Sequence, residues 1–349
     1  MKYGPGPKVE LFGRYQLLKS LAVGGMGEVY LARQRGPSGF EKLLVVKRIL
    51  PHLSDEQDFI DMFFDEARIA AHLNHPNIAQ IYDLGDVSGV YYIAMEYVQG
   101  ESLKQIWARS RRAGMPLGLK CRIIADVAAG LDFAHRAMSP SGRPLNLIHR
   151  DVSPQNVLVG FNGSVKLIDF GVAKAANKIS NTLTGHIKGK YAYMSPEQAR
   201  GEELDHRSDI FGLGTIFYEL LSGQRLWKRE NDTATLRAVM KAEVPKPSSL
   251  GKGLPEELDP IVLKALARKR EDRYQSAGDL QLDLEDFIVQ ERLPASQAHV
   301  AAFMRSVFPQ EPPLEALLDD EHTHTNEDGP PDNRDEPPPL PSKAKGKRT

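Results

Sequence analysis

The stretch from His149 to Gly171 constrains this chain more than any other. It reads His149-Arg150-Asp151-Val152-Ser153-Pro154-Gln155-Asn156, then two short apolar runs, then Asp169-Phe170-Gly171. Val157-Leu158-Val159 and Val165-Lys166-Leu167-Ile168 are short and rich in β-branched residues, so both read as strands. Asn162-Gly163 between them is the strongest short-range signal for a tight hairpin. A turn centred on that pair sets Asn156 opposite Asp169, an amide beside a carboxylate, with Asp151 at the entry to the same ribbon. Two oxygen donors for a hard cation and one spare carboxylate are the minimum for magnesium-assisted phosphoryl transfer. A polar hairpin with solvated acids at its ends explains each residue singly, but not their joint spacing.

Composition sets the outer limits. The 349 residues allow a large core and two or three domain-sized units. A net charge of −1 gives no global field toward nucleic acid or an anionic membrane, so neither is an expected partner. One cysteine, Cys121, excludes an intramolecular disulfide and sits in an apolar helical pattern as a core thiol. No apolar run approaches the roughly 18 residues that span a bilayer. The Gly4-Pro5-Gly6-Pro7 start lacks a signal-peptide apolar region. A soluble, cytoplasmic protein is the expectation.

In chain order, residues 1–14 read as a flexible extension. Leu21-Ala22-Val23-Gly24-Gly25-Met26-Gly27-Glu28-Val29 is a glycine-rich turn between strands, where backbone amides can approach phosphates; an ordinary hairpin turn reads the same way. In the strand Leu44–Ile49, Lys47 shares a face with Val45 and Ile49. The next helix carries Phe59, Phe63, Glu66, Ala70 and Leu73 on one stripe, so Glu66 is a carboxylate inside an apolar seam. Pairing Lys47 with Glu66 resolves both oddities. Met95-Glu96-Tyr97-Val98 is a strand running into a turn. Leu119 to Met138 is a helix with His135 as a core histidine, and 139–144 is a turn-rich connector. Helices are expected from Asp209 to Leu221, Ile261 to Ala267, Leu280 to Phe287 and Ala295 to Val307. From Pro309 the chain is rich in Pro, Asp and Glu and cannot bury enough apolar surface to fold alone.

His-Arg-Asp, the spaced Asn156 and Asp-Phe-Gly together resemble the eukaryotic-type protein kinase family in its bacterial, Hanks-type serine/threonine branch. The resemblance runs from about Tyr15 to Phe287 with the motifs in family order. It implies a two-lobed α+β kinase fold: an ATP-binding lobe over 15–98, mainly antiparallel β with one key helix; a mainly helical lobe over 99–290; and a partly helical, then disordered acidic and proline-rich tail over 291–349. The implied activity is transfer of the ATP γ-phosphoryl group to protein serine or threonine, with Mg2+. By the same resemblance Asp151 orients the acceptor hydroxyl and takes its proton, while Asn156 and Asp169 hold magnesium. Lys47, held by Glu66, binds phosphate oxygens under the loop of Leu21, Ala22, Val23, Gly24, Gly25, Met26 and Gly27. Val29 and Leu158 enclose the adenine, the backbones of Glu96 and Val98 hydrogen-bond it, and Met95 gates the back pocket. Asp209 anchors the catalytic-loop backbone, and Glu197 pairs with Arg273. Thr182, Thr184 and Ser180 are the regulatory phosphorylation candidates, read by Arg150 and Lys174. Implied partners are ATP, protein substrates, a docking partner for the tail and a second copy for trans-autophosphorylation.

Five positions depart from the family pattern. Ala22 stands where the first glycine is usual, and Val45 replaces alanine and narrows the adenine slot. Ser153 replaces the lysine two residues after the catalytic aspartate, and Lys190 stands where a threonine is usual, so hydroxyl and ammonium exchange places. Gln155 replaces glutamate and predicts weaker preference for arginine upstream of the target hydroxyl. The competing class is a pseudokinase that binds nucleotide or partners.

Overall fold

The structure is a computed structural model that describes residues 10–24, 27–50, 60, 64, 67–68, 70–110, 114–139, 141–170, 191–250 and 253–310. The chain falls into two units, Met1–Pro309 and Gln310–Thr349, and every described strand and helix lies in the first.

Six strands form an antiparallel sheet: β1 (Glu10–Phe12), β2 (Tyr15–Val23), β3 (Gly27–Arg35), β4 (Glu41–Ile49), β5 (Ile81–Val87) and β6 (Val90–Glu96), in the spatial order β1-β2-β3-β4-β6-β5. The period of two sorts β4 between two environments. Leu44 and Val46 join Phe12, Tyr15, Leu17, Ala32, Tyr92 and Ala94 in a small core. Val45 and Lys47 look the other way. Register sets Val29 and Ile93 on either side of Lys47, and Leu31 and Met95 on either side of Val45, so these six share a face. The helix expected to supply Glu66 is described only at Ile60, Phe64, Ala67, Arg68, Ala70 and Ala71. Glu66 itself lies outside the described residues.

A second sheet has three strands, β7 (Gly100–Ser102), β8 (Val157–Gly160) and β9 (Val165–Leu167), in that order. It is joined to the first lobe through residues 77–79: the Leu167 amide donates to Asn77 O at 2.9 Å and the Ala79 amide to Leu167 O at 3.0 Å. The β8–β9 hairpin departs from the sequence expectation. Val157 pairs with Leu167 and Val159 with Val165, so Asn156 lies across from Ile168, not Asp169. Phe161, Asn162 and Gly163 form a three-residue loop closed by Gly160 N–H to Ser164 O at 2.8 Å. The Asn162 side chain accepts from the Ser164 amide at 2.9 Å, and Gly163 turns the chain at φ 84°. That is the type I turn followed by a left-handed residue, which shifts the register by one from the two-residue loop.

Helices α1 (Leu103–Arg109), α2 (Leu117–His135), α3 (Pro196–Arg200), α4 (Arg207–Ser222), α5 (Asp232–Lys241), α6 (Leu258–Ala265), α7 (Ala277–Gln290) and α8 (Gln297–Val307) build the larger lobe. α4 is almost wholly buried and α2 largely so, and the two form its centre. α2 ends at His135, three residues before the expected Met138, and the Leu145 amide beyond the connector takes the Ala137 carbonyl at 2.9 Å. α8 carries Val300, Ala301 and Met304 into the core of this lobe, with Phe308 just beyond it. It lies against the hairpin loop so closely that a Cβ on Gly163 would stand 2.1 Å from the Gln297 carbonyl oxygen. The boundary expected at residue 290 therefore falls inside the first unit. Among the described residues no helix is long and apolar enough to cross a membrane.

Candidate active site

The site forms where the hairpin meets the face of β4. Lys47 Nζ donates to Asp169 Oδ1 at 2.7 Å, joining residues 122 positions apart across the two lobes. Asp169 adopts φ 61°, a left-handed conformation rare for a non-glycine residue. This turn, two residues after β9, brings the carboxylate to Lys47. The expected Lys47–Glu66 pair cannot be placed, since Glu66 lies outside the described residues; Asp169 is the partner seen.

The catalytic loop is held from below by one carboxylate. Asp209, in the first turn of α4, accepts from the amides of His149 and Arg150 at 2.8 Å each and from His135 Nε2 at 2.8 Å. Burial works against charge on Asp209, but the His135 hydrogen bond, with His149 and its amide, outweighs it and holds its pKa below the usual carboxylate range. His135 is thus a core histidine, as expected from sequence. Arg150 sits at φ 68°, a second left-handed residue, and its carbonyl accepts from Gln198 Nε2 at 2.9 Å. His149 is fully buried, packs on Phe170 with centroids 4.6 Å apart, and bonds the Ile168 carbonyl through Nε2 at 2.9 Å.

Asn156 Nδ2 donates to the Asp151 carbonyl at 2.8 Å. With its amide nitrogen committed, Asn156 offers its oxygen, the atom a hard cation takes. An amide oxygen on Asn156 and a carboxylate on Asp169 are hard donors of the kind a divalent cation takes. Ser153 is buried at 8 % exposure. Lys190, Thr182, Thr184, Ser180 and Lys174 lie outside the described residues.

In the glycine-rich turn, Gly24 N–H bonds Gly27 O at 2.9 Å, while Gly25 and Met26 lie outside the described residues. Gly27 has no room for a side chain: a Cβ there would stand 2.3 Å from Arg48 O. Ala22 pairs with Val29 past a bulge in β2. Leu21 and Val23 are exposed, whereas Val98 is 9 % exposed. Leu158 sits on β8 directly across from Lys166. The Glu96 amide is committed to Gln80 O at 2.8 Å, which leaves its carbonyl as the backbone group it can offer.

Two pairings here were missed by reading the sequence. Lys166 Nζ donates to Glu96 Oε2 at 2.9 Å, clamping the β8–β9 hairpin to the turn between the lobes. A lysine alternating with core residues in a strand was the available signal. The second joins Glu219, Tyr193 and Arg225, and nothing in their spacing announces it. Glu197 and Arg273 do pair as expected, through two bonds of 2.6 and 2.8 Å, with Ser208 donating to Glu197 at 2.7 Å.

Residues 15–283 match the family model described as "Protein kinase domain". The chain is 47% identical over 307 residues to tyrosine-protein kinase MasK of Myxococcus xanthus (strain DK1622), covering 87% of this chain and 48% of the relative. It is 34% identical over 283 residues to serine/threonine-protein kinase PrkC of Bacillus subtilis (strain 168), covering 80% of this chain and 41% of the relative. The chain thus spans about half the length, or less, of these curated relatives. In three dimensions it is similar to the crystallised Mycobacterium tuberculosis PknI kinase domain, with a TM-score of 0.61 at 28% identity, covering 79% of this chain and 97% of that one.

Proposed function

Because the chain belongs to the protein kinase domain family, we propose that it transfers the γ-phosphoryl group of ATP to a protein hydroxyl, of serine or threonine. The observation that carries this reading is the 2.7 Å contact between Lys47 and Asp169, which brings a phosphate-binding cation and a metal-binding carboxylate to one point. In this reading Asp151 orients the acceptor hydroxyl and takes its proton as the oxygen attacks phosphorus. Lys47, with Glu66 behind it, binds phosphate oxygens; the Leu21–Gly27 loop covers them; Val29, Leu158 and the Glu96 and Val98 backbones hold the adenine. Asn156 and Asp169 hold Mg2+, which when bound neutralises charge on the phosphates.

Acceptor identity has a second reading. The 47% identity to a protein named a tyrosine kinase favours tyrosine, whereas PrkC carries a serine/threonine name. Radiolabel transfer from ATP to a generic protein, followed by phosphoamino-acid analysis, decides between them. Asp151→Asn as control should abolish the label, and persistent transfer by that variant would overturn the assignment of Asp151.

Lys190 supplies the cation that Ser153 lacks, in what we read as a compensated exchange. The test is Ser153→Lys, Lys190→Thr and the double variant: additive losses in turnover would sink it, since compensating sites couple. Phosphorylation at Thr182, Thr184 or Ser180 switches the enzyme, with Arg150 reading the phosphate. Its Nε is buried without a hydrogen-bond partner among the described residues, which supports that role. The same reading places the protein in the cytoplasm, phosphorylating a second copy in trans, with its tail as a docking segment.

A further inference from the structure

Arg225 lies two residues beyond Gly223, the C-cap of α4, and its guanidinium meets three groups at once. Nη1 donates to Glu219 Oε2 at 2.8 Å and also to the Tyr193 hydroxyl. The guanidinium carbon stands 4.3 Å from the centroid of Trp107 and 5.7 Å from that of Tyr193. Glu219 is 1 % exposed and takes two further bonds, from Tyr193 Oη at 2.7 Å and the Leu226 amide at 3.1 Å. Burial pushes the Glu219 carboxyl up to about 8, with the Leu226 amide pulling the other way. Ionising such a carboxyl at neutral pH calls for a cation beside it. A carboxylate at the base, a hydroxyl beside it and an indole face above are what a planar guanidinium needs. Arg225 itself stays at the surface, with 34% of its side chain exposed.

The parts of this socket are tied to the catalytic loop. Helix α1, which carries Trp107, is joined to it by Lys104 N–H to Pro154 O at 2.9 Å. Gly212 is pinched between Val152 O and Tyr193 O, which a Cβ would meet at 3.2 and 3.3 Å. The socket thus borders the loop that carries Asp151.

We propose that Arg225 is the internal occupant of a guanidinium socket built from Glu219, Tyr193 and Trp107, and that by filling it Arg225 keeps arginine side chains of acceptor peptides out. The proposal rests on the kinase reading for the word acceptor, but not for the socket. Gln155 weakens attraction for arginine by lacking a charge; Arg225 removes it by occupying a charge that is present. The residue is therefore specificity-determining, and emptying the socket creates a preference that the wild type lacks.

The socket can be tested without catalysis. The sequence has two tryptophans, and Trp227 is buried and bonded to Thr215, so a ligand in the socket reports through Trp107 emission. Arginine methyl ester, titrated into the full chain, should give a saturable change in Arg225→Ala and in Arg225→Gln. Wild type and Arg225→Lys should give none, and Glu219→Gln in the Arg225→Ala background should abolish it. No saturable change in either emptied variant, or an equal change in wild type, overturns the proposal. A randomised peptide library then reads the consequence: arginine enriched about tenfold at one position by Arg225→Ala over wild type, the size expected of one charge-assisted pair. An unchanged pattern also overturns it. Failure of both proteins to phosphorylate any peptide would remove the kinase reading, while the emission titration still decides the socket.

Discussion

Two glutamate–arginine pairs sit in the larger lobe, and they are built in opposite ways. In Glu197–Arg273 both side chains are sealed, with 4% and 0% exposed, and every guanidinium nitrogen also reaches a carbonyl. In Glu219–Arg225 the acid is as deeply buried, but the arginine is one-third exposed and rests on aromatic faces. Equal burial of the acid thus conceals different roles. The first arginine cannot leave without stranding a charge, so the pair fixes α3 to the rest of the lobe. The second can withdraw into solvent, so its pair can act as a site.

The sharpest way to break this contrast is to remove each arginine. Arg273→Ala leaves Glu197 buried and uncompensated, and should lower stability by about 3–5 kcal/mol in urea denaturation. The next effect depends on pH. Burial opposes the charge on Glu197, yet the bonds from Arg273 and Ser208 win and hold its pKa down to about 2. A depressed carboxyl stabilises the fold above its unfolded value of about 4.5 and loses that contribution as pH falls through the folded value. Glu197→Gln should therefore be less stable than wild type by about 3 kcal/mol at pH 7, with the gap closing between pH 4.5 and pH 2.

Gly163→Ala serves as an uncharged yardstick for burial. It forces a side chain into φ 84° and against the Gln297 carbonyl, and should cost about 2 kcal/mol with no dependence on pH over the same range. The smallest effect belongs to Arg225→Ala, at under about 1 kcal/mol. Arg225 is one-third exposed, so solvent screens its charge and caps the loss. A cost for Arg225→Ala as large as that for Arg273→Ala would erase the distinction between the two pairs.

Legibility in the chain tracks the range of the interactions. Alternation in β4 assigned Lys47 to the inner face, because a period of two is local and unforgiving. Asp209 and the Glu197–Arg273 pair were legible only through the family resemblance, since their partners lie 59 to 76 residues away. The hairpin register was missed by one residue. Asn-Gly signals both loop lengths, and the choice was made by the Asn162 side chain and by a helix 135 residues downstream. The left-handed turn at Asp169 was invisible for a related reason: aspartate tolerates that conformation without requiring it. The Glu219 socket escaped because three distant stretches build it, each ordinary alone.

The seat of α8 on the hairpin loop also bears on synthesis. The family match ends at residue 283, yet the surface covering Gly163 is supplied by Gln297 and Ala301. A nascent chain that has emerged only through the matched region displays an apolar seat where Val300, Met304 and Phe308 belong. At about 5–20 residues per second, the missing helix arrives on the order of a second or more later. Until then the hairpin bearing Asn156 and Asp169 lacks its outer wall. The lobe is finished by α8, the last of its described helices, so premature termination just past the family boundary leaves a kinase domain complete in its motifs and unfinished in its core.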